Sequence, residues 1–78
     1  MNYQGYIVRD PKICGGEPVI KGTRVTVEVL LEWLAAGWSE TEVLQNYPRV
    51  TADDLRAVYA FAKEIVSEQL YSVTNRAA

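Results

Sequence analysis

No histidine occurs in the 78 residues, and there is a single cysteine, Cys14. Without histidine the chain lacks the side chain best suited to moving protons near neutral pH. Cys14 equally has no imidazole partner to activate it as a nucleophile. A lone thiol closes no intrachain disulfide, and no Cys/His set for structural zinc can be assembled. Cys14 is therefore expected to pack as a small apolar side chain, and an unpaired thiol fits a reducing cytoplasm. The chain also lacks a run of about 18 apolar residues and a secretory leader, so neither membrane spanning nor export is expected. These absences point to a cytoplasmic protein that is not an enzyme, carries no cofactor or metal, and acts by binding.

Two further chemistries are weighed and set aside. Glu28/Glu32 and Glu64/Glu68 are carboxylate pairs four residues apart, a spacing that a divalent cation could bridge. The same spacing describes a solvated helix face, which is the preferred account. The glycine-rich stretch before residue 25 does not make a phosphate loop. Lys21-Gly22-Thr23 reverses the required Gly-Lys-Thr order, and β-prone residues follow instead of a helix.

Apolar material is plentiful: 49% of residues are hydrophobic, with two Trp and five Tyr. A domain this small buries only about 60% of its unfolded surface, so surplus apolar area is expected to meet a partner, most simply a second copy of the chain. Net charge is −2 but unevenly placed. Residues 1–26 hold four basic against two acidic side chains, and residues 27–78 hold four against eight. A mildly basic N-terminal segment thus precedes an acidic body.

The pattern predicts a single domain over 1–78. Its parts are a β arm or hairpin over 1–26, a helical bundle over 27–71 and a frayed tail over 72–78. Tyr6-Ile7-Val8 is β-prone and stops at the turn pair Asp10-Pro11. Gly15-Gly16 permits a sharp bend, and Lys21-Gly22 is a tight reversal between Pro18-Val19-Ile20 and Thr23-Arg24-Val25, with Gly22 at positive φ. A first helix is expected over 27–36, capped by Thr26, with Val27, Leu30, Leu31 and Leu34 on one face and Gly37 as its stop. Ser39 with Glu42 has capping-box spacing for a second helix over 39–46, which Pro48 ends. Thr51 with Asp54 repeats that spacing ahead of a third helix reaching about Leu70. Leu55, Val58, Tyr59, Ala62, Ile65, Val66 and Leu70 form its first apolar stripe. Ala57, Ala60 and Phe61 form a second, expected with Ile7 to hold a dimer mate or another protein.

Helices two and three, separated by a short break, have the proportions of a helix-turn-helix unit, whose last helix enters the DNA major groove. Arg49, Thr51 and Arg56 are the nearest candidate contacts there, with Lys21 and Arg24 from the reversal. Asp53 and Asp54 stand at the same end and would repel phosphate. Gly15, Gly16 and Gly22 are expected to serve the turns. Thr23 and Arg24 equally suit a structural role, tying the N-terminal segment to the helices.

The run Ile7-Val8-x-Asp10-Pro11-x-Ile13-x-Gly15-Gly16-x-Pro18-Val19-Ile20-x-Gly22-Thr23-Arg24-Val25-x-Val27 strongly resembles the signature of domain-of-unknown-function family 433 (DUF433). Leu34-Ala35-Ala36-Gly37, Ser39, Tyr47-Pro48, Thr51 and Asp54-Leu55-Arg56-Ala57 extend the resemblance over about residues 6–65. It implies a mainly α, three-helix, homeodomain-like helix-turn-helix bundle with a short N-terminal β-hairpin arm. It also implies a prokaryotic antitoxin similar to VapB proteins, paired in a type II toxin–antitoxin system with a PIN-like ribonuclease. Such a protein blocks the toxin and represses the shared promoter by binding operator DNA. The alternatives are a helix-turn-helix regulator without a toxin partner and a purely structural dimerisation module. Two positions depart from the family pattern. Glu17 stands where a basic residue is common, which weakens a phosphate grip by that loop, and Cys14 stands where a plain apolar residue is common.

Overall fold

The structure, a computed structural model, describes the backbone of residues 2–77 and the side chains of residues 2–68. Two short strands, β1 (Ile7–Val8) and β2 (Val19–Ile20), precede three helices, α1 (Val27–Ala35), α2 (Glu40–Asn46) and α3 (Ala52–Ala77). Single 3₁₀ turns at Tyr3–Gly5 and Cys14–Gly16 complete the N-terminal part. The molecule is thus mainly helical, with an antiparallel strand pair near its start, as the sequence pattern predicts.

The strands pair in the register Ile7↔Ile20 and Val8↔Val19. β2 is also bonded on its other side, to the segment entering α1. The Ile20 N–H donates to the Val25 carbonyl at 2.9 Å, the Val27 N–H donates to Pro18 at 3.0 Å, and Val19 bridges Thr26. The expected reversal at Lys21-Gly22 is present: the Thr23 N–H donates to Ile20 at 3.0 Å and Gly22 has φ +80°. The expectation differs in rank. The named partner of β2 is the upstream Ile7–Val8, and the Thr23-Arg24-Val25 side supplies only a bridge. With neighbours on both sides, Val19 and Ile20 are both fully buried, where alternate burial is usual for a surface hairpin.

Each helix begins on local chemistry, and α1 ends on it too. The Thr26 hydroxyl accepts from the Val29 N–H at 3.1 Å. After α1, the Trp38 N–H donates to Trp33 and the Gly37 N–H to Leu34, with Gly37 at φ +104°, a Schellman stop. Ser39 and Glu42 make both bonds of the capping box that opens α2. Thr51 and Asp54 do the same for α3, through Asp54 N–H to Thr51 Oγ1 at 3.1 Å and Thr51 N–H to Asp54 Oδ2 at 2.9 Å. α3 continues to Ala77, beyond the expected end near Leu70 and through most of the expected tail. No Gly or Pro follows Pro48, so nothing in the chain breaks it. Leu70's side chain and all of Ala78 lie outside the described residues.

The core joins Ile7 and Ile20 of the strands to Val27, Leu30, Val43, Val50, Leu55, Ala57 and Val58. The N-terminal strand pair thus packs into the same core as the helices. α3 is gripped on two sides, by α2 on one and by β1 with the first 3₁₀ turn on the other. This accounts for its wide buried face at Leu55, Ala57 and Val58. The second stripe is covered by the chain's own beginning: the Tyr3 and Phe61 rings meet edge to face at 5.1 Å, and the Arg9 guanidinium lies 5.9 Å over Phe61. Ile7 and Ala57, expected at an interface between chains, are instead 6% and 0% exposed within one protomer. Ala60 and Phe61 are half-buried.

Candidate nucleic-acid interface

The Lys21-Gly22 reversal is built so that little of it can shift. The Thr23 hydroxyl donates to the Ile20 carbonyl at 2.8 Å and accepts from the Val25 N–H at 2.9 Å. The hydroxyl's one proton and one of its two acceptor lone pairs are thus engaged inside the turn, which gives Thr23 a structural part in it. Next to it, the Cys14 thiol donates to the Arg24 carbonyl at 3.4 Å. Cys14 is half-buried and sits at φ +50°, with Gly15 at +66° and Gly16 at +86°. This left-handed run turns the chain under Arg24. Cys14 therefore does more than fill space: it ties the backbone of an exposed arginine.

Arg49 reaches this turn from the break between α2 and α3. A methyl group added at Gly22 would meet its Nη2 at 4.0 Å, ordinary contact distance. Val8, Ile13, Gly22, Thr23, Arg24 and Arg49 together line an open cleft of about 490 Å³. Val8 and Ile13 give it an apolar floor, Arg24 and Arg49 are exposed at it, and Lys21 is exposed on the same turn. Of the five expected nucleic-acid contacts, Arg24 and Arg49 both line the cleft and Lys21 belongs to its turn. Thr51 and Arg56 are exposed but do not line it, and in the cap Thr51 donates its N–H and accepts at its hydroxyl oxygen. Asp54 is buried and serves the same cap, so of the two aspartates at the start of α3 Asp53 alone is exposed. The floor residues Val8 and Ile13 escaped the sequence pattern, which marks polar contacts more readily than the apolar surface between them.

A second groove, of about 260 Å³, is lined by Pro18, Val27, Leu31 and Phe61 with Glu17 and Glu28. Near α2, Trp33 and Trp38 stack at 4.2 Å, and the Trp33 indole N–H donates to the Tyr47 hydroxyl at 3.0 Å. The Tyr59 hydroxyl donates to Glu40 at 2.9 Å. Burial, then the bond to Glu40 and its charge, raises the Tyr59 phenol above its ordinary value. Among the described residues no group of three or more Cys, Asp or Glu side chains is placed to hold a metal ion. Glu28, Glu32, Glu64 and Glu68 are exposed helix-surface carboxylates. No described helix is long and apolar enough to cross a membrane.

A small, mainly helical domain with a paired-strand start and a basic cleft at its helix-turn-helix break is the class these features define. The family model described as "Protein of unknown function (DUF433)" matches residues 7–62, and the chain belongs to that family. It is 35% identical over 57 residues to "Uncharacterized protein y4eO" of Sinorhizobium fredii (strain NBRC 101917 / NGR234), covering 73% of this chain and 26% of that protein. The chain thus spans about a quarter of the length of the curated relative it matches. A crystal structure of a DUF433 member protein from Anabaena variabilis ATCC 29413 superposes with a TM-score of 0.77 at 31% identity. That superposition covers 91% of this chain and 70% of the other.

Proposed function

We propose that this protein is a cytoplasmic binding protein of the antitoxin type. Its basic cleft and helix-turn-helix side meet operator DNA, and its apolar surface meets a second copy of the chain and a PIN-like ribonuclease that it restrains. The observation that carries the DNA half is the convergence of Arg24 and Arg49. Two arginines from separate parts of the chain line one cleft, Arg24 on a turn whose backbone Thr23 and Cys14 tie down and Arg49 from the break before α3. Arginine there suits phosphate, which it meets with two parallel donors. The burial of Asp54 in the α3 cap supports the same half, since it leaves one exposed carboxylate there where the sequence shows two.

A gel shift with duplex DNA at low salt, repeated at higher salt, tests the DNA half. Retention at low salt that weakens steeply with ionic strength is expected for phosphate-led binding. Absence of retention at every salt concentration refutes it. Co-purification with the protein encoded by the adjacent gene tests the toxin half. A regulator without a toxin partner gives the first result and fails the second.

A further inference from the structure

We propose that Arg24 and Arg49 act as one clamp on a single phosphodiester of the nucleic-acid backbone, with the adjoining sugar resting on Val8 and Ile13. The source of that phosphodiester rests on the DNA-binding reading above. The clamp itself rests on the cleft.

Three features carry the inference. First, Arg24 and Arg49 line one cavity, with Val8, Ile13, Gly22 and Thr23 as its other walls among the described residues, and the Arg49 Nη2 lies beside Gly22. Among the described residues neither arginine has an ion-pair or hydrogen-bond partner for its guanidinium, so both charges are available. Second, the cavity's size and floor favour a phosphate with something attached. A volume of about 490 Å³ is far larger than a bare phosphate needs, and its apolar floor suits a sugar face better than solvent. Third, the main chain adds donors. The Gly22 and Arg24 N–H groups donate to no acceptor among the described residues, whereas their neighbours Lys21, Thr23 and Val25 all do. Cys14 and Thr23 hold this stretch in place, so the site requires little ordering on binding.

A shared phosphate and two separate phosphates predict different arithmetic. Each phosphate contact contributes about 0.9 to the slope of log affinity against log salt. On a shared phosphate, Arg24→Gln and Arg49→Gln each weaken duplex binding about tenfold. The double variant then loses clearly less than a hundredfold and lowers the slope by about 0.9 in total. Arg56 lies outside the cleft, so the losses from Arg24→Gln and Arg56→Gln should be additive. Circular dichroism and urea unfolding of every variant show that the fold is retained. In parallel, inorganic phosphate is titrated into the wild type and the double variant, following the Gly22 and Arg24 amide signals and the arginine side-chain signals by NMR. Movement of these signals in the wild type but not in the double variant is expected. Duplex binding with fully additive loss at Arg24 and Arg49 overturns the clamp and leaves the operator reading standing. Phosphate titration without any duplex binding does the reverse, making the ligand a small phosphorylated molecule. Failure of both measurements removes both proposals.

Discussion

Gly22 has φ +80° and no crowding neighbour: a Cβ there would meet Arg49 at ordinary contact distance. The position is thus governed by backbone handedness and not by space. Gly22→Ala should cost about 1–2 kcal/mol, the strain of a left-handed alanine, read as a lower urea midpoint with unchanged m value. Glu42 supplies a second residue-scale prediction. The Ser39 backbone N–H, then its hydroxyl, holds the Glu42 carboxyl below the ordinary carboxylate range. The folded state therefore binds that proton less readily than the unfolded state. Its stabilisation is complete above the unfolded value of about 4.3 and fades as pH falls through the folded one. Glu42→Gln should flatten this part of the acid limb of a stability–pH curve. Tyr59 has the opposite sign. Its raised phenol contributes below about pH 10 and loses that contribution as pH climbs beyond.

Among the elements, the helix ends are where local chemistry decides most. Ser39→Ala and Thr51→Ala each remove a side-chain acceptor from an N-terminal amide and should cost about 1 kcal/mol apiece, measured by urea unfolding. The caps were legible in the sequence because a capping box involves residues only three apart. The Gly37 stop was legible for the same reason. Strand pairing was not: two-residue strands leave no alternation to read, and a local reversal next to Val19–Ile20 competes with the distant Ile7–Val8. The second stripe of α3 was legible as apolar, but its cover was not. Tyr3 and Arg9 reach Phe61 across more than fifty residues of sequence, and no local period reports that. Phe61→Glu therefore disturbs the protomer itself as well as any dimer. Val66, 52% exposed farther along α3, separates the two effects. If α3 holds the dimer, Val66→Glu should leave unfolding unchanged and lower the apparent mass in sedimentation at micromolar concentration. An unchanged mass places the dimer contact away from this part of α3.

For the molecule as a whole, the core is small and shared by every element. Leu30 is 0% exposed at the centre of it, and Leu30→Ala should cost about 2–5 kcal/mol. Natural domains hold only about 5–15 kcal/mol in total, so this variant should show a thermal midpoint far below the wild type's, or none. The basic residues of the cleft were legible one by one. Their meeting was not, because it depends on how the break before α3 folds back over a turn near the start of the chain. Arg56 and Thr51, closest to Arg49 in sequence, stay outside the cleft.

Ile7 packs with Leu55 and Val58 in one core, and β1 lies against α3. During synthesis the first strand leaves the ribosome long before the helix that shelters it. Until α3 follows, a nascent chain must carry its greasy beginning uncovered, within reach of chaperones and proteases. Ribosomes stalled anywhere ahead of α3 would hold a chain that cannot yet close.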